Sequence, residues 1–114
     1  MQFTLDVFES RVQVCRITGN IYLSEIPALR KFVEESIQEP KDAVVFDLTD
    51  VKVIDSSGIN FFIDYLLKLK KTGKKFYTIG VSRNIGEVFR LTGLIKYMNV
   101  KNSIDEVLGD VGNG

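Results

Sequence analysis

The sequence predicts a single layered α/β domain, with a mixed sheet of four to five strands and about four helices. Three observations predict it. The run Ala43-Val44-Val45-Phe46-Asp47-Leu48 is short, apolar and β-branched, the composition of a strand buried on both faces. After it, Ile59, Phe62, Ile63, Leu66, Leu67 and Leu69 recur at three- and four-residue spacing, the apolar stripe of an amphipathic helix. The whole chain reads β, β, α, β, α, β, α, β, α, and strands alternating with helices give a sheet whose parallel neighbours are joined by right-handed crossovers.

From the N-terminus, Phe3, Leu5 and Val7 alternate with Thr4, Asp6 and Phe8, Glu9-Ser10 interrupts, and Val12 and Val14 resume the alternation. This is the pattern of an antiparallel hairpin. Thr18-Gly19-Asn20 ends the second strand, and Ile21, Tyr22 and Leu23 lead to Ser24, a candidate N-cap. Pro27 then falls in the first helical turn, where a missing amide is harmless. Ile26, Leu29, Val33 and Ile37 supply the inner stripe of this helix, while Glu25, Arg30, Lys31, Glu34, Glu35 and Gln38 face water. Glu39-Pro40 ends it, since a residue before proline avoids helical angles, and the chain passes into the central strand.

The second helix opens at Asp55-Ser56-Ser57-Gly58 and stops at Thr72-Gly73. Phe76 to Ile79 and Val81 form the next strand, interrupted by Gly80. Ser82 can cap a third helix in which Ile85, Val88, Phe89 and Leu91 pack inward before Gly93 terminates it. Tyr97, Met98 and Val100 give a last short strand, and Ser103 caps a final turn with Ile104, Val107 and Leu108. The domain is expected over residues 1–108. Residues 109–114 hold three glycines and little to bury, so a flexible tail is expected there.

Composition removes several function classes. A chain of 114 residues, 45% apolar, suits one core. Fifteen basic and fifteen acidic residues cancel, so no single-sign field favours nucleic acid or an anionic membrane. The longest apolar runs fall far short of the ~20 residues that span a bilayer, and the expected setting is the cytoplasm. Cys15 lies in an apolar strand pattern with no second cysteine to pair with, and is read as core. Histidine is absent, which removes Ser-His-Asp and Cys-His catalysis and most zinc sites. With no Walker-type or dinucleotide-type glycine motif either, no enzyme, metal or cofactor is expected. Five lysines between Lys68 and Lys75 read as a solvated helix end favoured by the helix dipole rather than as a phosphate patch.

The junction at residues 55–58 carries the functional expectation. It lies past the carboxyl end of a strand, where sites in α/β folds gather, and opens a helix whose first amides lack intrahelical partners. A Ser or Asp oxygen can cap those amides, yet two consecutive serines are one more than a cap needs. With Ile17-Thr18-Gly19 before the first helix, Asp47-Leu48 and Val51 in the central strand region, Ile54-Asp55-Ser56-Ser57-Gly58-Ile59, and Leu91-Thr92-Gly93-Leu94 after the third helix, the chain resembles the STAS-domain anti-sigma-factor antagonists over nearly its whole length.

That resemblance implies partner switching. The unphosphorylated protein would bind an anti-sigma factor that is also a serine kinase, freeing a sigma factor; phosphorylation of the serine before the glycine, here Ser57, would end binding, and a phosphoserine phosphatase would restore it. Tyr22, Leu23, Asp55, Ser56, Gly58, Ile59 and Asn60 are the expected partner contacts, with Ile59 as an exposed anchor and Ser56 as a cap or contact. The family often has an acid where this chain has Tyr22, which bears on kinase recognition. A monomer or weak dimer is expected. Two other readings stay open: a scaffold or ligand-sensing STAS protein, and a nucleotide hydrolase using Asp55.

Overall fold

The computed structural model describes residues 1–113 and contains one five-stranded sheet in the order β1-β2-β3-β4-β5. The strands are β1 (Gln2–Phe8), β2 (Val12–Thr18), β3 (Ala43–Asp50), β4 (Lys75–Ile79) and β5 (Val100–Lys101). β1 runs antiparallel to β2, and every later pair is parallel. The hairpin turns at Glu9 and Ser10, both at positive φ, with Arg11 N–H donating to the Phe8 carbonyl at 3.0 Å. Four α-helices lie between the strands, α1 (Ile26–Ser36), α2 (Ser56–Lys71), α3 (Arg83–Leu91) and α4 (Ile95–Met98), and α5 (Ile104–Asn113) follows β5.

Strand alternation sorts the buried side chains into two layers. Cys15, Ile17, Val44, Phe46, Leu48 and Phe76 face the larger core, which α1 to α4 cover. Val12, Val14, Ala43, Val45, Tyr77 and Ile79 face the smaller one, closed by Val107 and Val111 of α5. β3 is buried from Ala43 to Leu48, as its unbroken apolar run requires. Phe46 is the hub that locates α2, with the rings of Phe62 and Tyr65 centred 5.2 and 5.5 Å away and that of Phe76 on β4 at 5.6 Å. Each such aromatic pair adds about 0.5–1.5 kcal/mol beyond its buried area. The helix that carries the candidate site is therefore held rigidly on the sheet.

Several sequence expectations are corrected. Ser24 caps nothing: a short 3-10 turn, Leu23–Glu25, leads into α1, whose start carries no side-chain cap. Leu91 is 83% exposed, because it lies about 240° round from the inward Ile85 at 100° per residue, and Leu94 enters the core instead. Tyr97 and Met98 belong to α4, not to a strand. Leu94 and Met98, four residues apart, both turn inward, which is helical spacing, and only after Asn99 reverses the backbone at φ 50° does β5 begin. The expected tail from residue 109 is helix through Asn113. Val111 continues the stripe of Ile104, Val107 and Leu108 and is buried, Arg11 Nη2 donates to its carbonyl at 3.2 Å, and the Tyr77 hydroxyl donates to Asp110. Gly114 lies outside the described residues.

Candidate functional site

At the carboxyl ends of β2 and β3 the two following segments are stitched together. Ile21 N–H donates to the Val53 carbonyl at 2.9 Å and Asp55 N–H to the Ile21 carbonyl at 3.0 Å, a parallel bridge between Ile21 and Ile54. The ladder slips just before it: Arg16 faces Asp47 but Thr18 faces Asp50, so β3 holds one residue more than β2 over this stretch. Such bulges re-aim the chain beside functional sites. Beneath it, the buried Asp47 carboxylate accepts from Arg16 Nε at 3.1 Å and from Thr49 N–H at 3.0 Å, so its charge is matched.

Asp55 ties this platform to α2. Its Oδ1 accepts the amides of Ser57 at 2.9 Å and Gly58 at 3.1 Å, the N-cap arrangement, and its Oδ2 accepts Leu23 N–H at 2.9 Å. One carboxylate thereby fixes both the start of α2 and the loop before α1. The cap is Asp55 and not Ser56, whose side chain is exposed. Gly58 allows a close approach rather than an unusual backbone angle. A Cβ there would stand 2.6 Å from Ile54 Cγ2 and 2.8 Å from Ile21 Cγ2.

This contact revises two expected partner contacts. Gly58 is buried, and Ile59 is 8% exposed within the main core, so neither is a surface anchor. Ile59 is drawn inward because Gly58 lets the first turn of α2 settle on the bridge. The others gather at one end of the molecule: Tyr22 is 44% exposed, Leu23 68%, Ser56 and Asn60 are exposed, and Ser57 and Asp55 are half-buried. Two further residues belong with them. Val53 adds a third exposed apolar side chain, and Asn20 Oδ1 accepts from Lys52 N–H at 3.2 Å and Val53 N–H at 3.1 Å, shaping the rim. Asn20 could have been noticed as an amide beside Gly19 with loop donors to satisfy; nothing in the spacing singles out Val53.

The STAS domain family model matches residues 6–107, most of the chain. The chain belongs to the STAS-domain family, among its anti-sigma-factor-antagonist-like members. The anti-sigma-B factor antagonist of Staphylococcus epidermidis is 30% identical over 90 residues, covering 79% of this chain and 83% of that protein. Its counterpart from Staphylococcus aureus is 28% identical over the same extent. Among solved structures, an anti-sigma factor antagonist from Mycobacterium paratuberculosis superposes with a TM-score of 0.84 at 24% identity, over 96% of this chain and 92% of that one. SpoIIAA in its unphosphorylated form gives 0.81 at 18%, over 99% and 98%; at these identities the structures share the fold. STAS domains of the antagonist kind are regulatory and non-catalytic.

In this STAS domain the candidate site holds a half-buried serine, Ser57, at the second residue of a sixteen-residue helix, near three exposed apolar side chains and one carboxylate. No described group of carboxylate or cysteine side chains is arranged to hold a metal, and no described helix is long and apolar enough to cross a membrane. What such an arrangement can do is offer an apolar docking rim whose electrostatics change sharply when the serine is modified.

Proposed function

We propose that this STAS domain is an anti-sigma-factor antagonist of the bacterial cytoplasm that works by partner switching. Its unphosphorylated form binds an anti-sigma factor with serine kinase activity and so releases a sigma factor. Phosphorylation of Ser57 ends the binding, and a phosphoserine phosphatase reverses it. Tyr22, Leu23, Val53, Asp55, Ser56 and Asn60 form the contact surface. The relatives named as anti-sigma-B factor antagonists support the partner class.

The observation that carries this reading is the placement of Ser57 next to Asp55, whose carboxylate already occupies the amides of Ser57 and Gly58. A phosphate on Ser57 brings about −1.5 to −2 charges to a helix end whose nearest donors are taken. It faces a like charge instead. At about 4 Å two unit charges repel by about 1 kcal/mol in water and about 4 kcal/mol at an effective dielectric near 20. The free protein tolerates the first value. A bound partner that excludes water imposes the second, and the difference of about 3 kcal/mol weakens binding by roughly a hundredfold before any desolvation of the phosphate itself.

Incubation with the cognate kinase and ATP, followed by fragment mass spectrometry, should place the phosphate on Ser57; phosphate mainly on Ser56 would overturn the assignment. By calorimetric titration, Ser57→Asp should lose most partner affinity while its thermal stability stays within about 1 kcal/mol of wild type. Ser57→Ala should bind and resist phosphorylation. Wild-type affinity in Ser57→Asp would argue against electrostatic release.

A further inference from the structure

The lysine-rich end of α2 is not used by the site at Ser57, which lies about 20 Å away along the helix axis at 1.5 Å per residue. There the C-terminal half of α2, the start of β4 and α4 enclose an open groove of 510 Å³. Its floor is apolar, with Leu66, Phe76 and Leu94, and Leu67 and Tyr97 stand 52% and 58% exposed at its lip. Its rim is cationic. Lys70, Lys74, Lys75 and Lys96 line it, none of them in an ion pair with a described residue, against the single carboxylate of Asp110, which the Tyr77 hydroxyl engages. A chain with equal numbers of acids and bases has concentrated positive charge around one apolar hollow.

Beside the groove the sheet ends in a short strand. β5 is two residues long and pairs only with Thr78 and Ile79 of β4. Lys75 N–H points toward β3, donating to the Asp42 carbonyl at 3.1 Å, so the alternate residues Phe76 and Thr78 turn their backbone groups to the opposite edge. Thr78 N–H meets the Asn99 carbonyl at 3.4 Å, and the Phe76 carbonyl accepts Asn99 Nδ2 at 3.2 Å. Asn99 thus closes this edge of β4, where Phe76 is 4% exposed, and what the groove offers a partner is its apolar floor and cationic rim.

We propose that this groove binds an extended segment of a partner protein in which acidic residues flank a bulky apolar one. The apolar side chain fills the hollow between Leu66 and Leu94, and the carboxylates of the segment reach the lysine rim. The surface lies at the opposite end of α2 from Ser57, so this segment and the anti-sigma factor can be held together.

The test uses the full chain, labelled with nitrogen-15, and three blocked peptides: Glu-Asp-Phe-Glu-Leu-Asp, the same peptide with lysine in place of each acid, and the acidic peptide with glycine in place of Phe and Leu. The first should produce saturable shifts at residues 75–77 and 96–99 with a dissociation constant below about 1 mM. Lys70→Glu combined with Lys96→Glu should weaken it at least about tenfold, and Ser57→Asp should leave it unchanged. Should the double variant fail to fold, Leu67→Ser, at an exposed position, should weaken the first peptide in its place. Equal response to the basic peptide, equal response to the acidic peptide lacking apolar residues, shifts confined to other surfaces, or coverage of these amides by self-association without peptide would each overturn the proposal.

Discussion

Replacing Asp55 with alanine should cost more stability than its half-exposed position suggests, because one carboxylate holds three amides. Loss of an N-cap acceptor costs about 0.5–2 kcal/mol, typically about 1, and here it strands the amides of Ser57 and Gly58 together. The separate bond from Leu23 N–H should add about 1.5 kcal/mol, the low end for a hydrogen bond to a charged group because water can partly replace it. The expected loss is about 2–3 kcal/mol, which lowers the melting temperature of a domain this size by about 10 °C. Asp55→Asn keeps an oxygen for the cap, but its amide nitrogen meets Leu23 N–H donor to donor, so it should lose only the Leu23 bond, about 1.5 kcal/mol, and less than Asp55→Ala. Urea and thermal melts of both variants measure this, and amide exchange should quicken at Leu23, Ser57 and Gly58 in Asp55→Ala. A loss below about 0.5 kcal/mol, or equal losses in the two variants, would refute the view that the carboxylate's geometry staples the loop to the helix.

Gly58→Ala should destabilise by about 1–2 kcal/mol although alanine is the better helix former, since the new methyl meets Ile54 and Ile21 at under 3 Å; a more stable variant in urea melts would show that the bridge yields freely. In acid, the Arg11 guanidinium hydrogen-bonded to Asp42 and the Tyr77 hydroxyl on Asp110 hold both carboxyls below their ordinary range. A folded-state value below the unfolded one gives stability that is present above about pH 4 and is lost as pH falls through the folded values. The urea midpoint should therefore drop below about pH 4, and the variant with both Asp42→Asn and Asp110→Asn should show a shallower drop; identical acid profiles would count against it. Burial pushes the Cys15 thiol up to about 12, so alkylation at pH 8 should proceed only as fast as the protein opens. Rapid labelling of the native protein would mean that the helical layer over β2 is loose.

Much was legible from local pattern alone. The unbroken apolar run of β3, the alternation in β1, the three- and four-residue stripes of α1 and α2, and the glycine at positive φ that closes α3 are properties of neighbouring residues, so periodicity reads them directly. The position of Asp55-Ser56-Ser57-Gly58 at a strand-to-helix junction is of the same kind. The errors fell where local pattern is ambiguous. Leu94 to Met98 is too short for its period to distinguish helix from strand, and the glycines after Leu108 concealed that Val111 continues the helical stripe.

What the sequence determined by itself is the alternation of the main strands and helices and the chemistry present at the start of α2: one carboxylate, two hydroxyls, no imidazole. Which of those groups does what was decided by tertiary structure, because it depends on a loop 32 residues away in the chain. Only when β2 and β3 lie side by side do the segments after them form a bridge, and only that bridge gives Asp55 a third amide to hold and Gly58 two isoleucines to press against. Asp55 then takes the cap, Ile59 turns into the core, and Ser57 is left beside an occupied carboxylate with Tyr22, Leu23 and Val53 exposed around it. Hydrogen bonds and close packing are pairwise and short-ranged in space, whereas periodicity reports only what is near along the chain.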